Sequence, residues 1–219
     1  MADVMGRVRS VNVGRATEVE WRDRTWRTGI FKLPVDGSLR VAGVQVAGDE
    51  QADLSVHGGP EKAVYAYPWE HYGWWRDELE SPQTEVLDTC GAFGENLTTE
   101  GLLESVMGIG DLVRVGSALL RVTEPRMPCS KLGLRFQDPL MTRRFHDAGR
   151  NGIYFGIEEA GEIAAGDPIF VETRHPDRLT IHEIVEFYTG RHPDADVRVR
   201  AARHPGLSQT WREWFAAAE

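Results

Sequence analysis

Val113-Arg114-Val115-Gly116-Ser117-Ala118-Leu119-Leu120-Arg121-Val122-Thr123-Glu124-Pro125-Arg126-Met127-Pro128-Cys129-Ser130-Lys131-Leu132 joins a strand signal to a chemically loaded loop. Val113-Arg114-Val115 and Leu119-Leu120-Arg121-Val122 flank Gly116-Ser117. A two-residue glycine turn between apolar runs predicts a hairpin, because tight turns want φ > 0. Pro125 and Pro128 then fix their own φ and drive the residues before them to extended shapes, so the chain leaves the strand as a stiff loop. Arg126 and Lys131 flank Cys129. Positive charge stabilises a thiolate, the form that attacks electrophiles or binds metal. The competing reading is a buried structural cysteine, since free Cys is among the most buried residue types.

Outward from this stretch, residues 1–175 read mainly as short strands. Val4, Val8, Val11 and Val13 surround polar or small residues, and Ile30 to Val35 and Leu39 to Val41 flank Asp36-Gly37, a second hairpin signal. Ile109-Gly110-Asp111-Leu112-Val113-Arg114-Val115 echoes Ala165-Gly166-Asp167-Pro168-Ile169-Phe170-Val171, each a Gly-Asp turn leading into a strand. Strands at this density predict a closed or nearly closed β-barrel, in a mainly β fold with helices (α+β).

Two helices interrupt it. Pro68 to Leu79 spaces Trp69, Tyr72, Trp75 and Leu79 at helical intervals, the pattern of a buried face. Pro139 to Ala148 has Asp138 as its N-cap and Gly149 as its stop. From residue 176 the composition turns helical. Thr180-Ile181-His182-Glu183 is a capping box, Ala195 to Arg203 a second helix, and Ser208 the cap of a third through Trp211, Trp214 and Phe215. Residues 176–219 thus form a small three-helix tail, too short to hold itself together and expected to dock on the barrel.

The net charge of −9 argues against wholesale nucleic-acid binding, which needs a basic face, though it leaves room for a local basic pocket. No apolar run reaches the roughly 20 residues of a membrane span, and Met1-Ala2-Asp3-Val4 opens no signal peptide. Two cysteines, Cys90 and Cys129, make neither a disulfide framework nor a metal clip, and a reducing cytoplasm fits best.

Further candidates sit on glycine-rich turns. Asp53-Leu54-Ser55-Val56-His57-Gly58-Gly59-Pro60-Glu61-Lys62 reads as an anion nest with Lys62 as a point charge, or as a plain tight turn. Asn96, in Gly91-Ala92-Phe93-Gly94-Glu95-Asn96, offers both donor and acceptor to a heterocycle edge, or bonds its own loop. Arg150, between Gly149 and Gly152, suits a phosphate or is a solvated residue after a helix stop. Thr28 and Lys32 lie on the early hairpin. His57, His71 and His146 are the histidines that an acyl-transfer dyad with Cys129 would draw on.

Taken in order, Gly48-Asp49-Glu50-Gln51-Ala52-Asp53, Val56-His57-Gly58-Gly59-Pro60, Ala92-Phe93-Gly94-Glu95-Asn96-Leu97 and Pro125 to Leu132 closely resemble the YiiM type of the MOSC family, named for the C-terminal domain of molybdenum cofactor sulfurase. The resemblance covers nearly the whole chain, with the MOSC β-barrel in 1–175 and a helical appendage in 176–219. It implies a molybdenum cofactor held by a pterin dithiolene, with Cys129 as the protein ligand to the metal. Arg126, Lys131, Lys62, Lys32 and Arg150 become candidates to neutralise its phosphate and dithiolene, and His57, Thr28 and Asn96 candidates to hydrogen-bond pterin or phosphate. Relatives, including the mitochondrial amidoxime-reducing component, reduce N-hydroxylated substrates, and the YiiM type is associated with 6-hydroxylaminopurine detoxification.

The implied activity is therefore an oxidoreductase acting on N-hydroxylated small molecules. The sequence carries no cysteine cluster for iron–sulfur and no Gly-x-Gly-x-x-Gly fingerprint, so a separate electron-donor protein is expected. A homodimer is open. The alternative is a sulfur carrier or cofactor-delivery module using a Cys129 persulfide.

Overall fold

The computed structural model describes residues 4–52 and 58–218. Its strands are β1 (Val4–Val13), β2 (Thr17–Trp21), β3 (Arg24–Thr28), β4 (Leu33–Pro34), β5 (Ser38–Ala42), β6 (Gln45–Val46) and β7 (Val64–Pro68), then β8 (Leu97–Glu100), β9 (Leu112–Val115), β10 (Ala118–Pro125), β11 (Ile153–Glu159), β12 (Gly161–Ala164) and β13 (Pro168–Thr173). Seven of them close a barrel in the order β1-β13-β9-β10-β11-β7-β8 and back to β1. Every pair in the ring is antiparallel except β7 with β8. A parallel pair needs a crossover, usually helical, and α1 (Glu70–Glu78) lies in it.

Alternation along the strands sends Val8, Val113, Val115, Leu120, Val122, Phe155 and Ile169 into one apolar core. β1 is broken by register shifts at Val4/Gly6 and Val8/Ser10, which bend it toward both of its ring neighbours. Gly6 permits that approach: a Cβ there would sit 2.1 Å from the Glu100 carbonyl oxygen.

The hairpin signal at Gly116-Ser117 is the β9–β10 hairpin, with Val115 opposite Ala118. The Gly-Asp echo is structural too. Asp111 and Asp167 each accept a side-chain bond from the amide three residues back, Gly108 N (3.0 Å) and Ala164 N (2.8 Å), and the strands they launch, β9 and β13, pair with each other. The hairpin expected across Asp36-Gly37 does not form. β4 pairs with β1, and β5 pairs with β12 and β6, because longer-range partners outcompete the local turn. An unforeseen hairpin, β2–β3, turns instead through Arg22 and Asp23, both at positive φ (53° and 58°).

The aromatic face of α1 is packing, as its spacing requires: Tyr72, Trp75 and Leu79 are buried in a second cluster with Phe93, Phe136 and Phe145. The helix expected from Pro139 runs as α3 (Met141–Ala148). It starts later because the Asp138 carboxylate accepts from Leu140 N (2.8 Å), a turn ahead of the helix, and Gly149 stops it at φ 62°. A short helix, α2 (Ser130–Phe136), follows Cys129 where a loop alone was expected.

The tail forms α4 (Ile181–Tyr188), with the Thr180/Glu183 capping box, α5 (Ala195–Arg203), capped by Asp194, and α6 (Gln209–Ala217). Its apolar residues Leu179, Ile184, Val185, Ala201, Leu207 and Phe215 share one core with the barrel. His204 anchors the junction, its Nε2 2.9 Å from the Asp177 carbonyl and its ring 4.5 Å from that of His175. Burial holds the His204 pKa below its ordinary value.

A histidine lowered in the fold gains its proton more readily when unfolded, at about pH 6.5. Its contribution is therefore complete above that pH and is lost as pH falls below it. Melting curves between about pH 7.5 and 5 should show stability falling with acid, and His204→Gln should flatten that slope. An unchanged slope in the variant would remove His204 from the account.

Candidate functional site

Cys129 lies half-buried at the junction of loop and helix, with extended backbone (φ −135°, ψ 166°) as the N-cap of α2. The loop is pinned from both sides. Asn151 Nδ2 donates to the Arg126 carbonyl (2.7 Å), while Thr142 Oγ1 and Leu132 N donate to the Cys129 carbonyl (3.1 and 3.0 Å). With two prolines in it, the loop holds its thiol in place without help from a ligand.

A cleft opens on this thiol, lined by Thr28, Lys32, Asp49, Lys62, Tyr65, Asn96, Arg126, Cys129, Lys131 and Tyr154, among others. Its empty volume is about 630 Å³ out to the open mouth, within the usual range for small-molecule sites.

Arg126 is the dominant charge. It is buried, with its guanidinium carbon 5.1 Å from the Tyr65 ring centre and 5.5 Å from that of Phe145. Burial opposes its charge, yet Tyr65, Cys129 and Tyr154 around it hold its pKa above the ordinary value, so it is a permanent cation. Among the described residues its Nη1 has no hydrogen-bond partner, an unusual cost for a buried charge. The phenols of Tyr65 and Tyr154, rings 5.1 Å apart, are pushed up by burial and stay neutral.

Other positions have their capacity partly committed. Lys32 is buried against Asp49, whose carboxylate also accepts from Gly14 N (2.9 Å) and Asn96 Nδ2 (2.9 Å). Burial lowers the Lys32 pKa, and the pair presents little net charge to the cleft. Asn96 accepts from Tyr65 N with Oδ1 (3.2 Å) and donates to Asn12 O (3.4 Å), so it braces the floor rather than reaching for a ligand. Thr28 Oγ1 accepts from Ile30 N (3.2 Å) and keeps its own O–H to donate. Lys62 sits 3.5 Å from Glu124 at the rim.

Arg150 is the correction. It lies outside the cleft, in a separate cavity with His71 and Glu104, its Nη1 3.1 Å from His71 Nδ1 and its guanidinium over the Trp74 ring at 4.7 Å. The backbone turn that aims buried Asn151 at the Arg126 loop sends its neighbour the other way. His71 is committed to Glu104 (2.8 Å) and His146 to Asp147 (3.1 Å), and neither lines the Cys129 cleft, so neither completes a dyad. His57 lies outside the described residues. Asp49, Tyr65 and Tyr154 also line the cleft, and no sequence motif marks them. Asp49 stands within a quoted stretch, but nothing local marks it as the partner of Lys32, seventeen residues away.

Among the described residues no group of three His, Cys, Asp or Glu side chains could hold a metal ion. A metal bound at Cys129 would therefore bring most of its own ligands. One thiol, a buried guanidinium with an unused N–H, further lysines and a donor hydroxyl fit an anionic, thiolate-rich cofactor carrying a phosphate.

The chain is 36% identical to protein YiiM of Escherichia coli over 184 residues, 84% of this chain and 81% of that one. It is 34% identical over 179 residues to a protein named Reductase from Gibberella moniliformis, covering 81% of this chain and 31% of that longer one. The crystal structure of YiiM from Geobacillus stearothermophilus is similar at a TM-score of 0.78 and 33% identity, covering 96% of this chain and 97% of that. The MOSC domain matches residues 53–170, the segment that carries the glycine turns, the Cys129 loop and most of the barrel, and the chain belongs to this family.

Proposed function

We propose that the protein is a molybdenum-cofactor-dependent reductase of N-hydroxylated compounds such as 6-hydroxylaminopurine, supplied with electrons by a separate protein. The observation that carries this reading is the Cys129 thiol opening into one cleft with buried Arg126 and its unpartnered Nη1. Membership of the MOSC family and a relative named Reductase support it.

Cys129 would ligate the metal through Sγ, and Arg126, Lys62 and Lys131 would neutralise the dithiolene and phosphate. The Thr28 O–H would donate to the phosphate or pterin, and Lys32 would act through Asp49, holding the floor. Tyr65 and Tyr154 wall the cleft and narrow it against water. The bound cofactor supplies a metal centre that exchanges two electrons and an oxygen atom. Conversion of R–NHOH to R–NH2 and water consumes two electrons and two protons. The protons reach the open mouth from solvent, and the electrons require a donor. That this domain matches only 31% of the longer Reductase agrees with electrons arriving from outside it. No helix among the described residues is long and apolar enough to cross a membrane, and the reading places the reaction in the cytoplasm.

Protein from a host rich in molybdenum cofactor should carry about one molybdenum and one pterin per chain, as expected for a single thiolate site. It should form the amine with a chemical reductant and fail with NADH alone. Folded protein without molybdenum, but with cyanide-labile sulfur on Cys129, would replace this reading with a sulfur carrier.

A further inference from the structure

A second groove adjoins the Cys129 cleft. Lys62 and Met127 line both, so the two share a rim. The groove has an empty volume of about 840 Å³ out to its open mouth and runs between the turn Pro60–Lys62 and the tail, where Tyr188 of α4 and Trp211 and Trp214 of α6 form its wall. The ring centres of Tyr188 and Trp214 lie 5.1 Å apart, and Trp214 is 39% exposed, large for an aromatic the fold could have buried.

Two carboxylates also line the groove, of which Glu61 is turned to Arg121 (3.4 Å). Glu124, near the end of β10, is only 3% exposed. Its partners are Lys62 at 3.5 Å and the Ser208 hydroxyl, which turns to Glu124 instead of capping its own helix. Two carboxylate oxygens have room for more donors than these. Burial holds the Glu124 pKa above its ordinary value, an expense that neither the barrel nor the cofactor cleft explains.

Aromatic walls with one placed acceptor are the chemistry of a planar nitrogen heterocycle: the ring stacks, and its N–H edge donates to the carboxylate. We propose that this groove seats the heteroaromatic ring of the substrate, with Trp214 stacking on it and Glu124 reading its N–H edge. The ring's exocyclic nitrogen then points across the Lys62–Met127 rim toward Cys129. The proposal rests on the reductase reading for its substrate, but the groove's binding is separable from it. It gives the helical tail a place in the site, as the wall that sets ring specificity.

The test uses the full-length protein as purified, with adenine as the probe and calorimetry as the readout. Saturable binding by the wild type should weaken about tenfold or more in Trp214→Ala, the loss expected for one base–aromatic stack. It should return in Trp214→Phe and fall in Glu124→Gln. Because Trp214 is partly exposed, its truncation leaves the core intact, and molybdenum content should not change. No saturable binding by the wild type, or equal affinity in Trp214→Ala, overturns the proposal. Neither result touches metal retention at Cys129, so failure here and failure of the reductase reading are told apart.

Discussion

Cys129→Ala should empty the site of molybdenum while leaving the protein folded. Cys129 is only half-buried, its carbonyl rather than its thiol ties the loop to Thr142, and its N-cap position uses no side-chain bond. The melting temperature should therefore stay within a few degrees of the wild type, since losing one partly exposed sulfur opens no large cavity. Metal analysis should fall from about one molybdenum per chain by at least about a hundredfold, more than the 10- to 100-fold typical of lost outer-shell partners. Pterin should fall less, because Arg126, Lys62 and Lys131 remain to hold its anionic groups. Turnover of N-hydroxylated substrates should drop to background. Unchanged molybdenum in the variant would move ligation away from Cys129 and sink this account of the cleft.

Arg126→Leu should separate stability from function. Among the described residues the guanidinium is buried with its Nη1 unpartnered and no carboxylate paired with it, so the fold bears its desolvation without full return. Tyr65 keeps its own bond to the Asn151 carbonyl (2.9 Å) when Arg126 is gone. Leucine of similar volume should leave the melting temperature unchanged or raise it by a few degrees, as apolar replacements of buried charges do. Cofactor retention should fall by two to three powers of ten or so, the loss expected when a buried charge-assisted contact to an anion is removed. Arg126→Lys should recover only part of it, since an ammonium lacks the planar fork. A fall of about 10 °C or more in melting temperature with unaltered retention would make Arg126 a structural residue.

The parts of this molecule legible in sequence are those decided locally. The β9–β10 hairpin is written in a turn between two apolar runs, α4 in a capping box, and the core face of α1 in its aromatic spacing. Where the partner is distant, the signal fails. Asp36-Gly37 looks like a hairpin turn, yet β5 finds β12, more than a hundred residues on. β2–β3 escapes because Arg22-Asp23 is not a usual positive-φ pair, and only the finished hairpin enforces it.

The site divides in the same way. Cys129, Arg126 and Lys131 share one loop-and-helix segment and can be read together. Arg150 looks equivalent between its glycines, but which of Arg150 and Asn151 turns toward the Arg126 loop is set by the path of β11 against β7, and that is a property of the closed ring. Tyr65 and Tyr154 carry no motif. They become walls because Tyr65 stands opposite Tyr154 across those two strands.

The ring closes by pairing its first strand with its last, β1 with β13. On a ribosome that order matters. Until Pro168–Thr173 has emerged, the growing chain has two open strand edges, on β1 and on β9, because β13 is the neighbour of both. Open edges are templates for pairing with another chain, and slow non-local closure prolongs their exposure. A chain halted before residue 168 is thus a barrel short of one strand and suited to join with its own kind, and synthesis in crowded conditions favours whatever helper protein covers those edges until the last strand arrives.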